Sequence, residues 1–402
     1  MYDSFLDEPK QGRFALRAAT FAASSILGLT ACFSTAMCDT IIVSQDGTGD
    51  FETIQEAISS SADGDSIFVT AGIYFESELT VSLPITIEGD MGSDGLPAVT
   101  LDSQGGSQFY MNSTSGESSL RNFILTGSNE TGSMCFHSTP TFVNCTFIDN
   151  GTEEPGEFNL GGAMYNLNGA PVFIDCRFIG NRGGFGGAFS TWESGPDPSH
   201  HPLFVRCLFK GNSGHWGGAM ANLRSNPTLI DCTFEDNTAF RSGGAILNDG
   251  FDGPDFWISR PVLENCSFTG NSAIDDGGAI TNMGSSESTI TNCQFSLNTA
   301  QVAGAIMNTG MSFSTLTDTM LCGNMPDQII GTWHDMGGNS ILLECLPPCP
   351  GDLNGDGIVD GADLSALLGD WNQAGSAADI DGDGLVDGFD LTLLLGSWGL
   401  CS

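Results

Sequence analysis

The sequence predicts an all-β chain, a right-handed parallel β-helix (solenoid), followed by a small α-helical module. Three observations predict it. A double motif alternates along the middle of the chain with a period of 25 to 34 residues. The residues between the motifs alternate apolar and polar with period two, as strands do. After Cys345 the composition turns abruptly to proline, and then to Asp, Asn and Gly at alternating positions.

The first motif is Cys-x-Phe followed by Asn. It occurs at Cys145–Asn150, Cys176–Asn181, Cys207–Asn212, Cys232–Asn237, Cys266–Asn271 and Cys293–Asn298, and a degenerate copy at Met320–Asn324 lacks the Phe. The second is Gly-Gly-Ala, at Gly161, Gly186, Gly217, Gly243 and Gly277, with Ala303-Gly304-Ala305 as a sixth copy. A period of this size marks a solenoid. Strands such as Thr141–Phe147 put Val143, Cys145 and Phe147 on one face, and no helical periodicity runs through the repeats. Helical repeat classes are thereby excluded, and one coil of a parallel β-helix fits. Asn suits a tight turn because it tolerates left-handed backbone, and its amide can reach the Asn one coil away. The Gly pair suits a sharp backbone bend. Cys145, Cys176, Cys207, Cys232, Cys266 and Cys293 are expected to stack inside as buried thiols, since in-register parallel strands orient cysteines poorly for disulfides.

The alternating motifs resemble the GGA-I and F-x-x-N repeats of chlamydial polymorphic outer-membrane proteins. That resemblance covers roughly residues 140–325 and implies a surface-exposed β-helical passenger linked to adhesion. Those proteins end in a membrane β-barrel, a pattern missing after Cys345, so the likeness bears on fold and exposure more than on secretion route. Upstream, Ile41–Phe51, Thr53–Ile58, Asp63–Val69 and Gly72–Tyr74 resemble the opening of pectin-lyase-like β-helices: a strand, a capping helix and the first coil. A cap is needed because an open coil end exposes backbone and core. Ile54, Ala57 and Ile58 supply its apolar face at i, i+3, i+4.

Residues 1–38 read as an export signal: Lys10, Arg13 and Arg17 precede an apolar run from Ala18 to Ala36. Ser34-Thr35-Ala36 suits signal peptidase. Leu29-Thr30-Ala31-Cys32 resembles a bacterial lipobox, which would place a lipid anchor on Cys32. An uncleaved anchor helix is the third reading. No later run is long and apolar enough to span a bilayer. The expected localisation is secreted or cell-surface. A net charge of −38, from 49 acids against 11 Lys and Arg, excludes nucleic acid and anionic membrane as partners.

The β-helix is assigned to 39–345, a stiff linker to 346–350 and the module to 351–402. Two twelve-residue loops start at Asp352 and Asp379. Oxygen ligands fall at positions 1, 3, 5, 7, 9 and 12: Asp352, Asn354, Asp356, the Ile358 carbonyl, Asp360 and Asp363, then Asp379, Asp381, Asp383, the Leu385 carbonyl, Asp387 and Asp390. Gly357 and Gly384 make the turn at position 6. Such alternating oxygens wrap one hard cation, Ca2+. Short apolar helices are expected over 364–371 and 391–398. The tandem loops resemble dockerin type I modules, which implies calcium-dependent folding and a cohesin-like partner. In that family positions 10 and 11 choose the partner, and here they are Gly361-Ala362 and Gly388-Phe389 rather than Ser-Thr. Cys349 with Cys401, and Cys322 with Cys345, are candidate pairs whose connectivity the sequence leaves open.

Catalytic candidates are Asp275, Asp276, Arg241 and His215, none in a full motif of pectate lyases, polygalacturonases or pectin methylesterases. A solvated turn is the plainer reading of the two acids. The turn between Asn and Gly-Gly is nonetheless the most informative face. Phe185, Trp216, Arg241 and Asp276 are expected to line up along it, one per coil, as a ligand-binding row for polysaccharide. Insertions at 152–160, 193–202 and 250–261 carry Trp192, His200, His201, Phe256 and Trp257, on loops that often hold function. Three function classes follow: a non-catalytic surface-binding protein, which the sequence favours; a polysaccharide lyase or glycoside hydrolase; and a structural envelope component.

Overall fold

The computed structural model describes residues 39–112, 118–152, 160–193, 201–250, 258–345, 351–355 and 357–400. The export segment, the linker, Asp356, Cys349, Cys401, His200, Phe256 and Trp257 lie outside them.

Short strands with turns every few residues can bury an apolar face only by coiling. In the coil that starts at Leu203, Leu203–Val205 joins a first sheet, Leu208–Lys210 a second, Ser213–Trp216 a short fourth and Met220–Leu223 a third. The next coil repeats this order in register, parallel throughout: Phe204 stands on Leu229, Phe209 on Phe234, Met220 on Ile246. The chain is thus a parallel β-helix. The predicted cap is present as helix Ile54–Ser60, with Ile54, Ala57 and Ile58 buried and the Glu76 carboxylate accepting from the N–H groups of Ile54 and Gln55.

Identical residues on successive coils stack in the core. Phe147, Phe178, Phe209, Phe234, Phe268 and Phe295 form one column with ring centroids 4.6 to 4.8 Å apart and planes within 5°. The six cysteines form another column, buried and free; Cys135, in the third sheet, is also buried and free. Their thiols donate to backbone carbonyls; Cys207 Sγ lies 3.5 Å from Val205 O and 3.6 Å from Phe173 O. Burial pushes the Cys176 and Cys232 thiols up, and Cys135 up to about 12. Cys322 and Cys345 are disulfide-bonded in the last coil.

The asparagine column is a ladder, as expected, but its backbone differs from the expectation. The left-handed residue precedes the Asn: Asp149, Gly180, Gly211, Asp236, Gly270, Leu297 and Gly323 have φ from 52° to 67°. The ladder Asn is instead fully committed to hydrogen bonds. Asn237 Oδ1 accepts from the Asn212 N–H at 3.0 Å and from Asn212 Nδ2 at 2.9 Å, while Asn237 Nδ2 donates to Phe209 O and to Asn271 Oδ1. Gln108 and Gln328 close the ladder at its two ends. A second ladder, Asn222–Asn248–Asn282–Asn308, links the third sheet at 2.7 to 2.8 Å.

The Gly-Gly bend holds for a steric reason. A Cβ on Gly187, Gly218 or Gly244 would run into the carbonyl of Gly218, Gly244 or Gly278 one coil on. The glycine before each has φ near +70°.

The module forms helices Gly361–Gly369 and Gly388–Gly396, each starting three residues before the sequence expectation. Asp360 and Asp387 are the reason: each accepts from the N–H two residues on and so caps a helix that begins at the loop's own end. Val359, Leu367, Ala378, Val386 and Leu394 make a small core, and Ile358–Val359 pairs antiparallel with Gly399–Leu400.

Candidate functional site

Each loop of the module wraps its backbone around its own carboxylates. Gly357 and Gly384 take φ of 84° and 101°, which turns their N–H groups onto Asp352 Oδ2 and Asp379 Oδ2, both at 2.8 Å. At position 12, Asp363 and Asp390 are fully buried. Asp363 accepts from the N–H groups of Leu353, Asn354 and Asp360 at 2.8 to 3.1 Å; Asp390 accepts from Ile380, Asp381 and Asp387 at 2.6 to 3.2 Å. These two residues close the loops. Desolvation works against the Asp363 charge, but three backbone N–H groups outweigh it and hold the carboxyl below its ordinary value. The Asp387 N–H leads the same effect at Asp390.

The carboxylates of Asp379, Asp381 and Asp383 have oxygens within 4.8 Å of one another. At Asp381 the Asp383 N–H favours the charge, yet desolvation and the charges of Asp383, Asp390 and Asp379 prevail and raise its pKa. Asp379 Oδ1 is buried and has no hydrogen-bond partner among the described residues. Crowded like charges and an orphaned buried oxygen both call for a cation. This acidic cluster could hold a metal ion, and its all-oxygen donor set fits a hard one.

The turn row is real but shifted by one residue from the expectation. Phe185 pairs with Trp216, and hydrogen bonds from Arg241 N to His215 O and from Asp275 N to Arg241 O continue the register. Asp275, not Asp276, therefore stands over Arg241, and their side chains pair at 3.3 Å. The cause is an extra residue in two coils. Four residues separate Asn212 from Gly217, but five separate Asn237 from Gly243 and Asn271 from Gly277. The extra ones, Ser242 and Asp276, bridge each other. Asp276 turns away from the row; its Oδ1 accepts from Thr281 Oγ1 at 3.0 Å.

A second file stands beside the first. His215 is next to Phe240, ring centroids 6.4 Å apart, and Ile274 follows. Phe240 and Ile274 are 46 % and 59 % exposed. The row is thus an aromatic and aliphatic strip ending in an exposed ion pair. Trp192 lies in strand Phe189–Trp192 of the third sheet rather than in an insertion, stacked between Leu167 and Leu223. Sequence reading missed the buried Glu193, which accepts from Ser225 Oγ at 3.1 Å and lies 3.8 Å from His201. It also missed the second Asn ladder, although the spacing Gly-Gly-Ala-x-x-Asn in three of its coils, and Ala-Gly-Ala-x-x-Asn in the fourth, carries its signal.

The chain was compared with known proteins. Residues 197–319 match the right-handed β-helix region family, and residues 350–395 match the dockerin type I domain. No curated protein sequence matches the chain. Among solved structures it is similar to ORF18 of Geobacillus virus E2 (14 % identity, covering 76 % of this chain and 60 % of that one, TM-score 0.37). It is also similar to pectin methylesterase from carrot (12 %, 78 % and 90 %, 0.41) and to polygalacturonase from Erwinia carotovora (11 %, 77 % and 99 %, 0.41). Likenesses this loose carry no functional argument. The chain is a right-handed parallel β-helix followed by a dockerin type I region.

Proposed function

We propose that the chain is an exported surface protein whose β-helix binds a polysaccharide or another surface partner without turning it over. The module tethers it to a cohesin-like receptor when calcium is bound. The observation that carries this reading is the doubled loop with its buried closing aspartates and the orphaned Asp379 oxygen. In this reading Asp352, Asn354, Asp356, Asp360 and Asp363, with the Ile358 carbonyl, take one Ca2+. Asp379, Asp381, Asp383, Asp387 and Asp390, with the Leu385 carbonyl, take the second. The proposed boundaries are an export signal over 1–38, with Cys32 as its lipid-anchor site, the solenoid over 39–345 and the module over 351–402.

The strip of Phe185, Trp216, His215 and Phe240 supports a binding face, because aromatic rings one coil apart offer stacking surfaces to sugar rings. The likeness of the repeats to polymorphic outer-membrane proteins supports surface exposure and adhesion. The two acids are engaged by different partners, Asp275 by Arg241 and Asp276 by Thr281, which argues against an acid–base pair there.

The test incubates the mature chain, with calcium, with a panel of polysaccharides and follows retention, unsaturated-product absorbance and new reducing ends. Retention without products is the expected result, weakened by Trp216→Ala. Turnover would replace this reading with a lyase or hydrolase.

A further inference from the structure

On the outer face of the first sheet an apolar stretch of four coils is flanked by Arg121 and Glu264, with Glu88 next beyond Arg121 and Thr291 next beyond Glu264. One file of outward side chains runs Arg121, Val143, Ile174, Val205, Ile230, Glu264, one per coil and in register. The four central residues are partly exposed, and Arg121 and Glu264 are exposed. The file beside it follows the same symmetry over its four central coils, with Val172 and Leu203 at the centre and Thr141 and Thr228 outside them; Ser119 and Val262 lie beyond. An exposed apolar patch with a polar rim marks an interaction surface.

The order of residues identifies the occupant. A two-fold axis along the strand direction, between the coils of Ile174 and Val205, turns this pattern onto itself. Ile174 of one copy then meets Val205 of the other, Val143 meets Ile230, and Arg121 meets Glu264. Thr141 meets Thr228 and Val172 meets Leu203 in the neighbouring file. The other face-to-face two-fold, along the solenoid axis, brings each charge onto the coil that carries the same charge. Isologous contacts require this kind of self-complementarity, whereas an unrelated partner does not.

We infer that this face pairs two copies of the chain, antiparallel and face to face, with Arg121 of each copy on Glu264 of the other. Six coils at about 4.8 Å make a strip roughly 24 Å long. That is short for a permanent interface, so the dimer belongs in the micromolar range.

The test is sedimentation velocity of the full-length chain in calcium, from about 1 to about 200 μM, a range that spans such an affinity. A monomer–dimer equilibrium is expected. Val205→Lys places two charges at the centre and should weaken it on the order of a hundredfold. Arg121→Glu and Glu264→Arg should each weaken it about tenfold, and the double variant should recover the original affinity. A chain that stays monomeric throughout overturns the proposal. So does a dimer indifferent to Val205→Lys, or a double variant no tighter than either single one. Melting of each variant checks the fold, and the charge-swap pair decides the matter if Val205→Lys does not fold.

Discussion

In the ladder through Asn237 each buried asparagine finds a partner one coil away, while in the C-terminal module three carboxylates, Asp379, Asp381 and Asp383, crowd against one another. Asn237 uses both ends of its amide on protein groups and carries no charge. Asp379, Asp381 and Asp383 gather negative charge within 4.8 Å. A stack of repeats can satisfy itself because every coil presents the same donor and acceptor to the next. The carboxylates of a short acidic loop can only accept, and among the described residues its backbone N–H groups leave Asp379 Oδ1 without a donor. The difference teaches that the ladder through Asn237 is satisfied within the protein, whereas the cluster of Asp379, Asp381 and Asp383 fits a cation.

Substitutions should therefore act on one region at a time. The largest effect is expected at Asn237→Ala. It strips an acceptor from two Asn212 donors and a donor from Phe209 O and Asn271 Oδ1, at a cost of about 3 kcal/mol or more. Calorimetry should show the solenoid transition falling while that of the module stays in place. Asp363→Ala comes next. It leaves three part-buried N–H groups without their acceptor and should cost the module roughly 2 kcal/mol, with the solenoid unmoved. A single transition shifted by both variants would break the comparison.

Acid should separate the regions as well. Asp363 and Asp390 titrate below their ordinary value when folded. The stability they contribute is present above the unfolded value, near 4 for aspartate, and is lost as pH falls through the depressed folded values. The module should hold from pH 8 to 5 and weaken below about pH 4. The uncharged ladder gives the solenoid no such dependence, and circular dichroism against pH would show whether the two part company. The smallest effect is expected at Cys232→Ala, which removes a small buried thiol and its weak bonds to Ile230 O and Phe204 O. It should cost about 1 kcal/mol. A much larger loss in denaturant melts would mean that the thiol column is more than filler.

Much of the solenoid was legible because its signals are periodic. Cys, Phe and Asn recur at fixed offsets, so one coil predicts the next, and the apolar face of Ile54, Ala57 and Ile58 announced the cap. The turn row was less legible. Its register depends on whether four or five residues lie between Asn and Gly, and the one extra residue moved Asp276 out of the row and Asp275 into it. The site of left-handed backbone was misread for a related reason. Asn tolerates that conformation, but the ladder needs its amide in the core, so the turn falls on the residue before it. The module's acidic loops were legible position by position, because their Asp, Asn and Gly residues fall at fixed offsets within twelve consecutive residues. The early start of its helices was hidden in the second role of Asp360 and Asp387 as caps. The pairing face of the first sheet could not be seen without the register, since its charges lie more than a hundred residues apart in sequence.

The central claim is that the module needs a cation and the solenoid does not. Amide hydrogen exchange of the full-length chain, with calcium and after chelation, tests it most directly. The account predicts that chelation strips protection from 351–400 and leaves the ladder strands, from Phe147 to Phe295, protected as before. Unchanged protection in the module on chelation, or loss of protection in both regions together, would contradict it.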